Sequence, residues 1–135
     1  MKYLSPHISW DEAIHTNSRL QNEPNAEQIE NMKQLAFNVF EPLRIHFQTP
    51  IFINSFFRSE AVNKAVKGSK NSQHMALNGA AMDITIKDNV ITNEDLFNYI
   101  RDFLPYCQLI NEYNFSWIHV SYEKGNNKKQ VLEIN

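Results

Sequence analysis

The chain has 135 residues, of which 42% are hydrophobic and 21% are charged, and its formal net charge is −2. This length suits one domain that buries its own core, and the single cysteine excludes an internal disulfide. The weak negative charge gives no electrostatic case for nucleic-acid binding, since the basic residues form no stripe. The N-terminus has no apolar signal segment, and no run approaches about 18 apolar residues. The sequence therefore predicts neither a signal peptide nor a membrane span.

The first half of the chain predicts three helices and one strand. A short helix is expected over residues 9–17, which open with the spacing of a capping box. The strongest helical pattern covers residues 24–47, where apolar side chains recur every three to four positions, and Pro42 is expected to kink or split it. Residues 50–56 are β-branched and aromatic, which is typical of a strand. A third helix is expected over residues 59–66.

The second half predicts strands around one helix. Strands are expected over residues 82–86, 108–110, 117–122 and 130–134. The helix covers residues 93–103, with Thr92 as its cap and Pro105 as its stop signal. A polar turn at residues 113–116 joins two of the strands into a hairpin. Because helices come first and strands cluster late, the sequence predicts one α+β domain with a largely antiparallel sheet.

Two histidines and one aspartate suggest a metal site. His74 precedes a predicted strand, Asp83 falls on that strand, and His119 falls on a later one. Three protein ligands suit a catalytic zinc site, which keeps its fourth position for water. We expect the small residues at 79–81 to let the backbone pass close to the ion. A lone strand histidine is more often a core residue, and a lone aspartate a turn or cap residue, so the prediction depends on their joint setting.

Five segments, in their order and spacing, resemble the zinc D-alanyl-D-alanine carboxypeptidase family, which includes murein peptidases and phage endolysins. They are residues 55–59 (SFFRS), 63–66 (NKAV), 68–74 (GSKNSQH), 79–84 (GAAMDI) and 117–122 (WIHVSY). The similarity covers about residues 9–122, within a single domain of residues 1–135. It implies the fold shared with hedgehog domains, a central and mostly antiparallel sheet with helices packed on it.

The resemblance also implies roles for five residues. It makes His74, Asp83 and His119 the ligands of one zinc ion. It makes Arg58 a catalytic and substrate-binding residue, because the fixed donors of a guanidinium suit a terminal carboxylate or a scissile carbonyl oxygen. It makes Ser72 a residue that binds substrate or supports the first ligand. The alternative for Arg58 is a surface ion pair with Glu60 or another acid.

This chain departs from the family pattern in two places. His74 and Asp83 are separated by eight residues, two more than is common in the family, so we expect a bulged loop at 76–78 that reshapes one wall of the cleft. The second departure is Ser116, which stands three residues before His119, where many members carry the glutamate that acts as general base.

Glu112 is the nearest candidate for the missing base. A four-residue hairpin loop would pair it with Trp117 and place it diagonally across from His119, roughly 7–8 Å away. A register slip of one residue would turn its side chain to the other face of the sheet. The alternative is an exposed turn glutamate.

The resemblance implies a zinc peptidase that hydrolyses peptide bonds of peptidoglycan stem peptides, as a D-Ala-D-Ala carboxypeptidase or as a murein endopeptidase of the endolysin type. One alternative is an inactive zinc protein that binds cell-wall peptides, and another is a phage structural component. Without a signal peptide, the expected location is the cytoplasm of the producing cell, with action on the cell wall after release for a phage or prophage lysis enzyme. The expected partner is the peptidoglycan peptide, and a monomer is favoured although the oligomeric state is open.

Overall fold

Five helices form in the computed structural model, which describes residues 1–135. They are α1 (Trp10–Ala13), α2 (Ala26–Leu35), α3 (Glu41–Phe47), α4 (Glu60–Ala65) and α5 (Asn93–Phe103). The predicted caps Ser9, Ser59 and Thr92 each accept a hydrogen bond from a backbone N–H in the first turn, a donor that a helix start leaves free. No helix of the protein is long and apolar enough to cross a membrane.

Helix α1 ends earlier than predicted. The carbonyl of Ala13 accepts a hydrogen bond from the Phe57 N–H at 3.1 Å, and the carbonyl of Ile14 accepts one from Asn22 Nδ2 at 2.8 Å. Partners from outside the helix thus satisfy the carbonyl groups that its end leaves free. The predicted extension to residue 17 is wrong, because no local pattern marks these contacts.

A π-helical turn, Ala36–Phe40, connects α2 to α3. The flanking residues Leu35 and Glu41 keep right-handed helical backbone angles, and the Glu41 N–H bonds to the carbonyl of Ala36, five residues back. Pro42 follows directly and has no N–H to donate, so it interrupts the regular hydrogen-bond pattern at this point. The predicted interruption at Pro42 is therefore a change of helical register within a continuous helical segment.

Seven strands form two sheets. They are β1 (Tyr3–Ser5), β2 (Ile8–Ser9), β3 (Ile51–Ser55), β4 (Ala80–Ile86), β5 (Gln108–Glu112), β6 (Trp117–Tyr122) and β7 (Gln130–Ile134). The central sheet has the order β3-β4-β6-β5-β7, and all its pairs are antiparallel except β5 with β7. The small β1–β2 hairpin was not predicted, because its strands are too short to show alternation. The Ser5 hydroxyl ties it to the buried carboxylate of Glu41 at 2.7 Å.

The two faces of the central sheet differ in what covers them. The central part of one face packs against α2 and α5 and is fully buried. The strand residues there are Met82, Ile84, Leu109, Ile118 and Val120. The residues between them point to the other face, which borders an open cleft. The predicted α+β class, with a mostly antiparallel sheet and packed helices, is confirmed.

Candidate metal centre

The three predicted ligands meet on the open face of the sheet. Asp83 on β4 and His119 on β6 are direct cross-strand partners, so their side chains point to the same side. His74 lies in the short 3₁₀ turn Gln73–Met75. His119 Nδ1 is 2.9 Å from Asp83 Oδ1, and His74 Nε2 is 3.4 Å from the same oxygen. One ligand atom from each of the three residues lies within 4.8 Å of the others.

The ring of His74 is oriented by the backbone. Its Nδ1 lies 2.7 Å from the carbonyl oxygen of Phe56, and the side chain is only 4% exposed. A carbonyl oxygen can only accept, so Nδ1 carries the hydrogen and Nε2 presents its lone pair towards Asp83. Metal-ligating histidines usually have such a bond on their second nitrogen, which fixes the tautomer. The surroundings of His74 therefore match those of a metal ligand.

Opposing effects set the charge of Asp83. Burial by itself would raise the pKa of its carboxyl group, because it disfavours the charged form. Close contact with the imidazole rings of His119 and His74 outweighs burial and holds the pKa of the carboxyl group well below its ordinary value. Asp83 is consequently ionised at any physiological pH, the state in which a carboxylate binds a cation.

The donor set fits zinc. Two imidazole nitrogens and one carboxylate oxygen are a usual set for a catalytic zinc ion, with bonds of about 2.0–2.2 Å. Tetrahedral bonds of that length separate neighbouring ligand atoms by about 3.3 Å, close to the separations of 2.9 and 3.4 Å around Asp83 Oδ1. The same residue types also bind non-haem iron(II) in other proteins. The donors alone therefore indicate a divalent transition metal.

Arg58 lies against this cluster. Its backbone N–H donates to the carbonyl of His74 at 2.9 Å, and its Nε donates to Ser55 Oγ at 3.3 Å. Its Nη2 is 3.8 Å from Asp83 Oδ2, and its side chain is 21% exposed. Arg58 thus pairs with one of the candidate ligands and not with Glu60. The alternative was a surface ion pair with Glu60 or another acid, and the acid that Arg58 meets is the largely buried Asp83 of the site itself.

The loop before His74 is packed closely around Arg58. A Cβ atom added to Gly68 would lie 2.0 Å from Asn63 Oδ1 and 3.3 Å from Arg58 Nη1. Asn63 Nδ2 holds the same loop by donating to the carbonyl of Ser69 at 2.9 Å. Gly68 and Asn63 belong to the motifs that resemble the family, but no role in the site was predicted for either. Gly68 and Asn63 thus shape the loop that packs against the guanidinium of Arg58.

Ser72 begins the 3₁₀ turn that carries His74. Its Oγ accepts a hydrogen bond from the His74 backbone N–H at 3.2 Å. Ser72 also lines the cleft, so its hydroxyl hydrogen can donate to a ligand there. Of the two roles expected for Ser72, this contact favours support of the first ligand.

Glu112 lies in the expected register. In the β5–β6 hairpin Glu112 pairs with Trp117 and Ile110 pairs with His119, so Glu112 and His119 point to the same face. The Ser116 hydroxyl instead donates to the carbonyl of Tyr113 at 2.6 Å in the exposed hairpin loop. The hairpin geometry predicted for Glu112 is confirmed, and its role as a base stays a prediction.

Most of these side chains border one cavity of about 710 Å³, here called the metal cleft. Its lining includes Arg58, Ser72, His74, Asp83, Glu112, Trp117, His119 and Glu123. Most of them were predicted as site residues, whereas Trp117 was expected only as part of a strand and a motif. Its indole Nε1 donates to Glu112 Oε2 at 3.1 Å, a contact that the spacing of the hairpin residues could have suggested.

One expectation about the segment between His74 and Asp83 is wrong. The inserted residues do not line the metal cleft, since Met75 and Leu77 border a neighbouring cavity of about 630 Å³. Gly79 has a φ of +77°, and a Cβ there would lie 2.3 Å from the carbonyl oxygen of Tyr122. The close approach of β4 to the end of β6 thus requires a glycine at this position, and the expected passage of the backbone beside an ion stays a prediction.

A comparison with protein families now gives the context of this site. A model described as Peptidase M15 matches residues 6–121. The chain belongs to the Peptidase M15 family. This is the zinc D-alanyl-D-alanine carboxypeptidase-like family, so the resemblance inferred from the motifs is confirmed. A search of curated proteins finds no match.

Membership supports a peptidase, and M15 peptidases are zinc enzymes. In this chain His74, Asp83 and His119 lie close enough together for a metal site. Membership of this family therefore favours zinc over the other divalent metals that the donor set fits.

Proposed function

We propose that this protein is a zinc peptidase that hydrolyses peptide bonds in peptidoglycan stem peptides, with one zinc ion held by His74, Asp83 and His119. The observation that carries the proposal is the convergence of these three donors in an open cleft. The bond between His74 and the Phe56 carbonyl adds support, because it presents the free nitrogen of the ring to the centre. The substrate class is supported by membership of the Peptidase M15 family.

A zinc ion held by these three residues would act as a Lewis acid towards a carbonyl group and would make water nucleophilic near neutral pH. Glu112 then accepts the proton of the attacking water and delivers it to the amine that leaves when the peptide C–N bond breaks. Its place on the face that carries His119 supports this assignment.

Arg58 binds the substrate beside the metal. Arg58 borders the cleft, and its terminal nitrogens form no hydrogen bond with the protein, while its Nε bonds to Ser55 and its Nη2 lies near Asp83. A guanidinium held in this way can bind the terminal carboxylate of a stem peptide or the oxyanion that develops at the scissile carbonyl. Either contact fixes the scissile bond over the three ligands.

The same centre serves a carboxypeptidase or an endopeptidase, and we include both in the proposal. The resemblance to phage endolysins supports an enzyme that acts on the cell wall after release from the producing cell. A second candidate is an inactive zinc protein that binds wall peptides. The observation that favours it is Ser116, whose hydroxyl is bonded in an exposed loop at the position where many relatives carry the base.

Digestion of purified peptidoglycan, followed by mass spectrometry, tests the proposal. We expect new fragments with the native protein, none after treatment with a chelator, and recovery when zinc is added back. Loss of a terminal D-alanine identifies a carboxypeptidase, whereas opening of cross-linked stems identifies an endopeptidase. The His119→Ala variant is the matched control for contaminating hydrolases. Binding to peptidoglycan without any zinc-dependent fragment would contradict the proposal and favour the inactive binding protein.

A further inference from the structure

Trp117 and Glu112 form a side-chain pair inside the metal cleft. They are directly opposite each other in the β5–β6 hairpin, and the indole Nε1 donates to Glu112 Oε2 at 3.1 Å. The ring of Tyr113 lies against that of Trp117, with centroids 5.2 Å apart. The indole is therefore held from both sides, by the hairpin register and by an aromatic neighbour.

We propose that Trp117 is a positioning residue that holds the Glu112 carboxylate in the orientation needed for proton transfer. The inference rests on the proposed function, in which Glu112 is the general base. The indole bonds to one carboxylate oxygen, Oε2, and no other protein group donates to the Glu112 side chain. Oε1 consequently remains free to accept a proton.

The location of Glu112 explains why it needs such a partner. It is the last residue of β5, beside a hairpin loop in which Tyr113, Asn114 and Phe115 all have positive φ angles. A glutamate side chain has high rotamer freedom, and its base function requires one orientation. Glu112 forms no ion pair, and Arg58 in the same cleft pairs with Asp83. An indole has only two side-chain torsions, so it is a rigid donor.

The hydrogen bond can be tested without any activity measurement. In a ¹⁵N-labelled protein, the indole N–H signal of Trp117 is identified by its loss in Trp117→Phe, which keeps an aromatic ring and removes the donor. We expect this signal to move in Glu112→Gln, because a neutral acceptor makes a weaker hydrogen bond than a carboxylate. The signal of Trp10, the other tryptophan of the chain, should stay in place. A Trp117 signal that stays in place as well would overturn the proposal.

A double-mutant cycle tests the positioning role. Trp117→Phe should lower kcat by up to about 100-fold, the size of effect that a misplacement of about 1 Å produces, while its zinc content stays normal. In the Glu112→Gln background the same substitution should have almost no further effect, because there is no base left to position. Trp10→Phe is the matched control and should leave kcat unchanged.

The possible outcomes distinguish the positioning role of Trp117 from the assignment of Glu112 as the general base. Equal losses from Trp117→Phe in both backgrounds would overturn the positioning role and assign the indole to packing or substrate contact. Full activity of Trp117→Phe would overturn only the positioning role. Full activity of Glu112→Gln would overturn the assignment of the base, and the role of Trp117 with it.

Discussion

The two faces of the central sheet are built from the same strands and have different tasks. On β4, Met82 and Ile84 are fully buried against the helices, and Asp83 between them points into the cleft. On β6, Ile118 and Val120 are equally buried, and His119 between them lies beside Asp83. One face thus supplies the hydrophobic contacts and the other the polar groups of the site.

The difference between the two faces shows how the residues of the candidate metal site are held in position. Side chains alternate along a strand, so a register shift of one residue would move Asp83 into the core and Met82 into the cleft. Burial of the apolar face makes such a shift costly. The packed face therefore fixes the register, and the register places the candidate ligands opposite each other. Substitutions on the two faces should consequently have separable effects.

The largest effect is expected from His119→Ala on the open face. Loss of a residue that only hydrogen-bonds a ligand lowers metal affinity by about 10–100-fold, and loss of the ligand itself should lower zinc affinity by more. Hydrolysis should be abolished. The fold should survive, because the core does not need the ion. Metal analysis and thermal unfolding measure both parts, with His15→Ala as an exposed control. Zinc binding as tight as in the parent would show that His119 is not a ligand.

Glu112→Gln should have the next largest effect. It keeps the size of the side chain and removes the base, so turnover should fall by about 10²–10⁴-fold with zinc still bound. Steady-state kinetics with parallel metal analysis measure this. Glu123→Gln is the matched control, since Glu123 borders the same cleft and already accepts a hydrogen bond from Asn126. A larger loss in the control than in Glu112→Gln would transfer the role of base to Glu123.

Arg58→Lys, a third substitution beside the open face, should cause a smaller loss of activity. Lysine keeps the charge but lacks the planar set of donors, so kcat/KM should fall by about 10–100-fold, as expected for hydrogen bonds to charged groups worth about 1.5–3 kcal/mol. Zinc content should stay normal. Arg19→Lys, at an exposed position, provides the control. Unchanged kinetics in Arg58→Lys would reduce Arg58 to a structural partner of Asp83.

The smallest effect is expected on the packed face, from Ile118→Val. Removal of one buried methylene should lower the free energy of unfolding by about 0.5–1.5 kcal/mol. Zinc affinity and kcat should be unchanged, since the register and the open face remain intact. Urea denaturation and zinc titration measure the two quantities. A clear loss of zinc affinity would show that the faces are not separable at this strand.

The sequence predicted those parts of the fold that depend on local patterns. Strand alternation, helix caps and the four-residue hairpin loop are local features, and they led to the correct sheet and to the register of Glu112. His74, Asp83 and His119 were found through motifs whose order and spacing match a family. Each of these predictions required only neighbouring residues or a recognised pattern.

The parts that were missed depend on contacts between distant segments. The early end of α1 depends on Phe57 and Asn22, and the orientation of His74 depends on the backbone carbonyl of Phe56, which has no sequence signature. The insertion after His74 was assigned to the wrong cavity, because Gln28 and Asn31 of α2 bond the carbonyls of Met75 and Ala76 and draw the loop towards that helix.

The hairpin between β5 and β6 also has a consequence for the order of folding. Glu112 and Trp117 are 5 residues apart in the chain, whereas Asp83 and His119 are 36 apart. A short loop closes at a lower entropic cost than a long one, so the hairpin can form early and the pairing of β4 with β6 follows. We therefore expect Glu112 and Trp117 to meet before the candidate ligands Asp83 and His119 do. Zinc uptake during refolding would then mark the completion of the central sheet.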